Sequence, residues 1–155
     1  MLMTHQMRAP RRRRGFSLVE VLIALVIMSV GMLGIAGLFV QSMQAGRTSM
    51  FRHHAVTLAG DVADRIRANP TARAVYAGGG VDSGCVAQGI DCSAPEMAAN
   101  DIFLWAQQAA DQLPNGLVEI TYDGAVDPPY YTIAVRWTEP GVNLDYTIVI
   151  PVRGI

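Results

Sequence analysis

The sequence predicts an α+β fold in which a long N-terminal helix, its first half embedded in a membrane, packs through its second half on a small antiparallel β-sheet. Three observations carry this. From Phe16 to Val40 the chain runs 25 residues with one formal charge, Glu20. From Gln41 to Ala68 there is no proline, and apolar residues recur at helical spacing. After Leu113 three short runs alternate apolar and polar residues, the period of a half-buried strand.

Length and charge set the bounds. The 155 residues, 51% hydrophobic with a formal charge of -1, suffice for one modest domain and an accessory segment. All 12 basic residues are arginine, and five of them, Arg8 and Arg11 to Arg14, precede Gly15. Without residues 1–15 the chain keeps 7 basic against 13 acidic residues, a charge of -6. The body is acidic and has no basic face interleaved with aromatics, so no nucleic-acid partner is expected.

The first element is the helix. Its uncharged core, Val21 to Val40, has 20 residues, and at about 1.5 Å each it spans roughly the 30 Å of a bilayer interior. Basic residues flank only its N-terminal end, which keeps residues 1–15 cytoplasmic and sends the rest across in a single pass. A secretory signal has an apolar region of about 7 to 15 residues followed by a small-residue cleavage site. Here the run is longer, holds an acid, and offers a cut before it rather than after it. Beyond the membrane, Phe51, Ala55, Leu58, Val62 and Ile66 form one stripe, and Asp61 with Arg65 makes an acid-before-base pair on the helix surface. Asn69-Pro70 ends the helix, because the residue before proline is pushed out of the helical region.

Gly31, Gly34 and Gly37 interrupt this helix, each at about 1 kcal/mol against alanine. Three readings stand open: close approach of another helix, since small residues form contact faces in lipid, a segment built to be weak enough to unwind, or simply the frequency of glycine in membrane helices.

After Pro70 the composition shifts to a glycine-rich linker, "AGGGVDSGC". Cys85 and Cys92 are the two cysteines, and on the exported side of a membrane they are expected to form a disulfide. A metal site needs more ligands at matching spacing and a redox pair favours C-x-x-C, so no metal is expected. "SAPEMAANDIFLWAQQAADQL" reads as a helix opened by a capping box of Ser93 and Glu96, with Ile102, Trp105, Ala109 and Leu113 buried. Strands follow at 117–122 (Val118, Ile120, Tyr122 inward), 130–138 (Tyr131, Ile133, Val135, Trp137) and 143–152 (Leu144, Tyr146, Ile148, Ile150). Asp127-Pro128-Pro129 and Glu139-Pro140-Gly141 supply the turns. The order predicts a meander whose inner face is covered by the 51-to-66 stripe.

"GFSLVEVLIALVI", behind a short basic leader, resembles the class III signal of type IV pilins and pseudopilins: Gly15, then Phe16, with Glu20 the fifth residue after the junction. "RHHAVTLAGDVADRIRANP", the cysteine pair, "DIFLWAQQAADQLP" and "YTIAVRW" resemble the minor-pilin group of type IV pilus modification proteins. The resemblance implies a lollipop-shaped pilin fold. It divides the chain into a cleaved leader at 1–15, a long helix at 16–69 with its membrane segment at about 16–40, and a periplasmic headgroup at 70–155. It also implies that a prepilin peptidase cuts after Gly15 and methylates the new N-terminus at Phe16, and that Glu20 acts in subunit assembly. The implied partners are other minor and major pilins, the inner-membrane assembly machinery and the membrane itself. The implied role is structural: initiation and biogenesis of a type IV pilus, supporting adhesion or twitching, first in the bacterial inner membrane and then in the pilus. A minor pseudopilin of type II secretion shares the same signal. A membrane-anchored periplasmic binding module is the alternative from another class. Residues 77–93 match no motif, and any surface particular to this protein is expected there.

No enzyme is expected, and no cofactor. His5 lies in the leader, and His53 and His54 are successive helical positions whose side chains diverge by about 100°. No serine or cysteine has a recognisable base partner, and no glycine loop joins a strand to a helix.

Overall fold

The computed structural model describes residues 15–85 and 91–152; the arginine run and His5, within residues 1–14, lie outside them, as do residues 86–90 of the stretch expected to carry a surface particular to this protein. Helix α1 spans Leu18–Ala68, a short 3-10 turn spans Arg73–Ala77, and helix α2 spans Ala94–Gln112. Strands β1 (Leu117–Asp123), β2 (Tyr130–Glu139) and β3 (Val142–Pro151) form one antiparallel sheet in the order β1-β2-β3. The chain forms two compact units that divide between Met43 and Gln44. The division falls inside α1, so the second half of that helix belongs to the same unit as the sheet.

In that unit the helical stripe is complete. Ala55, Leu58, Ala59, Val62, Ala63 and Ile66 are all buried, at the i, i+3, i+4, i+7 spacing of one helix face. The alternation of alanine with larger residues leaves room for the sheet's side chains, and Tyr131, Ile133, Val135 and Trp137 of β2 join the same core. Phe51 and the inward residues of β1 are half-buried around it. Register follows from the pattern: Ile133 sits opposite both Ile120 and Ile148, and Val135 opposite Val118 and Tyr146. A one-residue slip would turn every one of these to solvent.

The turns obey local chemistry. Pro140-Gly141 closes the β2–β3 hairpin with Gly141 at φ +83°, the left-handed position that a type II turn gives to glycine. After α2, Asn115 takes φ +51°. At Gly116 a β-carbon would run into the Ala109 carbonyl, so the chain can leave the helix this closely only without a side chain. At the start of α2 the Ser93 backbone N–H donates to the Glu96 carboxylate at 2.9 Å and its hydroxyl at 2.7 Å, which holds that carboxyl below its ordinary range.

Magnitudes decide what holds the unit together. The ion pairs Arg67–Asp64 and Arg136–Glu119 join side chains that are all more than half exposed, and such pairs contribute less than about 1 kcal/mol each. A fully buried large apolar side chain contributes about 1.5–3 kcal/mol. The seam of α1, α2 and β2 therefore outweighs the surface charges.

Burial also raises two phenols. Tyr76 and Tyr131 are both pushed up to about 12 by desolvation, Tyr131 further by the neighbouring Tyr122. An unfolded tyrosine ionises near 10, so with folded values raised the stabilisation is full below pH 10 and is lost as pH rises towards 12. In an alkaline titration, two tyrosinates should appear late and together with loss of near-ultraviolet circular dichroism. Their appearance near pH 10 with the tertiary signal intact would contradict this burial.

Candidate functional site

The N-terminal unit is a helix with no inward face. Leu18, Val19, Val21, Leu22, Ile23, Leu25 and the apolar residues that follow to Met43 are exposed on every side. The most apolar 18-residue window has a mean hydropathy of 2.6 and none of it is buried. A helix apolar all round belongs in a protein core or in lipid, and this one is long and apolar enough to cross a membrane.

Glu20 occupies the first turn of α1, where a carboxylate meets the positive end of the helix dipole. Among the described residues no side chain hydrogen-bonds to it. Phe16, four residues earlier, is 84% exposed, and in the intact chain its nitrogen is a peptide amide. An amine able to pair with Glu20 exists at that position only once the bond after Gly15 is cut.

The glycines gain a physical reading from their surroundings. A β-carbon at Gly31, Gly34 or Gly37 would meet nothing within 4 Å. The fold of the single chain therefore does not require glycine at any of the three. Three-residue steps place them within an arc of about 120° on the helix, so a contact with another helix and a weakened helix both remain consistent with their placement.

In the second unit the segment between the helices is not the free linker that its composition suggests. The backbone at Gly80 lies so close to α2 that a β-carbon would sit 2.5 Å from the Phe103 nitrogen. Val81 N–H donates to the Ala99 carbonyl at 2.9 Å, and Ser83 N–H to the buried Asn100 side chain at 3.1 Å. Cys85 and Cys92 are joined by a disulfide, with Cα atoms 5.8 Å apart. Composition alone cannot distinguish a glycine run that is mobile from one that lies flat against a helix.

A polar network anchors this segment from beneath. Asp101, 3% exposed, accepts from Arg65 Nη1 at 2.8 Å and from the Tyr76 hydroxyl at 3.2 Å. Asn69 donates to Tyr76 and to the Ala94 carbonyl, and the Trp105 indole donates to Asp61 at 2.8 Å. The sequence pairs Asp61 with Arg65 on the helix surface, and the structure keeps that pair. The pair also reaches into the core through Asp101, and Tyr76 is buried beside it. The available signal was an acid, Asp101, falling at the edge of the buried stripe of α2.

A cavity of about 440 Å³ lies among Ile66, Arg67, Pro70, Tyr131, Ile150, Pro151 and Val152. Its one charged side chain, Arg67, is engaged by Asp64. His53 and His54 have ring centroids 6.3 Å apart and, among the described residues, share no carboxylate that would make them a metal site or a catalytic pair.

Comparison with known families matches two adjoining stretches. Residues 10–36 match the prokaryotic N-terminal methylation motif, and residues 37–103 match the family described as type IV pilin Tt1218. No curated protein and no solved structure matches the chain. The first match contains Gly15, Phe16, Glu20, Gly31 and Gly34. The second takes in the buried stripe of α1, the disulfide and Asp101.

Arg65→Ala leaves the buried Asp101 carboxylate with the Tyr76 hydroxyl as its remaining partner. Denaturant unfolding should show a loss of about 1–3 kcal/mol, the cost of an unsatisfied buried polar group. A loss under about 0.5 kcal/mol would put the pair in the class of ordinary surface ion pairs.

Proposed function

Because the chain belongs to the type IV pilin superfamily, we propose that it is a minor pilin of the PilV kind, a structural subunit that promotes initiation of a type IV pilus. The observation that carries this reading is the register of Gly15, Phe16 and Glu20 at the head of a helix that is apolar on every side. In this reading residues 1–15 are a leader removed by the prepilin peptidase, and Phe16 becomes the methylated N-terminus. Residues 16–40 hold the subunit in the inner membrane in a single pass, with the C-terminal unit in the periplasm. A minor pseudopilin would carry the same signal; the match to a type IV pilin family over residues 37–103 favours the pilus.

Glu20 supplies the mechanism. A carboxylate at the middle of a bilayer costs about 2.5–3.5 kcal/mol on insertion scales. Glu20 lies only about 6 Å along the axis from Phe16, at 1.5 Å per residue, and waits near the cytoplasmic interface where that cost falls. Within a bundle of apolar helices it has no water. The free amine of a neighbouring subunit's first residue neutralises it there, and an unpaired buried charge penalises every other axial offset. The pair works as a register lock between subunits. Gly31, Gly34 and Gly37 then serve helix packing or helix melting during the same transfer. Other minor and major pilins and the inner-membrane assembly machinery are the partners of this step, and the role is structural rather than enzymatic.

The test separates processing from assembly. Gly15→Val should leave a full-length precursor in the inner membrane, because the peptidase groove accepts only a small residue before the cut. Glu20→Val should be processed normally yet recovered in sheared pili, or crosslinked to other minor pilins, at a level lower by at least about tenfold, as expected for breaking a buried charge pair. Normal assembly of Glu20→Val would remove the register lock, and processing of Gly15→Val would remove the signal itself.

A further inference from the structure

The buried stripe of α1 begins at Ala55. Between Gln44 and His54 only Thr48, Phe51 and His54 are even half-buried. Composition gives this stretch little helix of its own: it holds Gly46, Thr48, Ser49, Phe51, His53 and His54, all below alanine and leucine in helix propensity. Gly46 is not required by packing either, since a β-carbon there would meet nothing within 4 Å. Three turns of helix therefore lack a continuous buried face, and six of their eleven residues are weak helix formers.

One side chain of the sheet, Glu139, gives them a polar anchor. The Thr48 hydroxyl donates to Glu139 Oε2 at 2.6 Å, and the indole N–H of the buried Trp137 donates to Glu139 Oε1 at 3.1 Å. Glu139 closes β2 and leads into the Pro140-Gly141 turn, so its carboxylate is fixed from the sheet side by Trp137 and by the hairpin. Arg47 and Arg52 flank it from α1.

We propose that the Glu139 carboxylate is a latch that keeps residues 44–54 of α1 helical and attached to the sheet, and that opening it frees this segment to unwind while the helix from Ala55 onward stays in the core. Phe51 and His54, both half-buried, then remain to hold the segment. The latch has a defined response to acid. Its hydrogen bonds from Thr48 and Trp137, with the charges of Arg47 and Arg52, hold Glu139 below the ordinary carboxylate range. A depressed carboxyl stabilises above its unfolded value of 4.5 and loses that contribution as pH falls through the folded value. The imidazoles of His53 and His54 stand about 140° and 120° around the helix from Thr48, away from the latch. The β2 side contributes Trp137, and the Pro140-Gly141-Val142-Asn143 turn brings no titratable group. The latch is a property of the fold and holds whether or not the chain enters a filament.

Hydrogen exchange of the full chain in detergent micelles tests it, read as amide protection in peptides covering 44–54 against peptides covering 58–68. Thr48→Val leaves the Glu139–Trp137 bond and the hairpin untouched. It should raise exchange in 44–54 roughly tenfold, the size of one lost hydrogen bond to a charged acceptor, with 58–68 unchanged. Glu139→Ala should match it, the double variant should add nothing, and Gly46→Ala in either background should restore protection by strengthening the local helix. Unchanged protection of 44–54 in Thr48→Val would overturn the proposal. So would an equal loss over 58–68, which would make the contact part of global stability rather than a local latch.

Discussion

One helix must satisfy two environments, and the rest of the structure depends on that constraint. Over its first half α1 presents apolar side chains in every direction, which only lipid or other apolar helices can cover. Over its second half it presents a single stripe, Ala55 to Ile66, that a three-stranded sheet and α2 bury completely. The change from one regime to the other occurs without a break in the backbone hydrogen-bond ladder. Such continuity leaves the intervening turns weakly supported and makes their attachment to the sheet a separate structural problem.

The polar interactions divide the same way. In the second unit buried polar groups are paired: Asp101 by Arg65 and Tyr76, and Asn100 by the backbone of Ser83. These bonds fix the stretch from Asn69 to Ser83, where regular secondary structure is short, and a disulfide joins Cys85 to Cys92. In the first unit the one acid, Glu20, has a helix dipole and no side-chain partner among the described residues. On the proposed reading, the partner of this acid lies outside the single chain.

Much of the architecture was legible because it rests on periodicity. The stripe Phe51, Ala55, Leu58, Val62 and Ile66, the Ser93–Glu96 cap, the three strands and their inward residues all follow from spacing, and the observed boundaries differ by a residue or two. Ala59 and Ala63 were not assigned to the core, since alanine carries little hydrophobic signal by itself. Arg65–Asp101 and Thr48–Glu139 join residues 36 and 91 positions apart; no local pattern encodes such pairs. The 3-10 turn with buried Tyr76 was hidden because its flanking glycines read as a linker, whereas Gly80 is small so that backbone can lie on α2. In the N-terminal unit Gly15, Phe16 and Glu20 were found by motif and not by packing, and the roles proposed for them concern chemistry on and between chains.

The central claim is that the exposed apolar helix begins, in the mature protein, at Phe16 with a new amine four residues from Glu20. Intact mass and N-terminal peptide analysis of the protein purified from membranes tests this directly. The account predicts a single mature species that has lost residues 1–15 and starts with N-methylated Phe16. A membrane-inserted protein that retains the arginine-rich leader under conditions where the peptidase is active would contradict it.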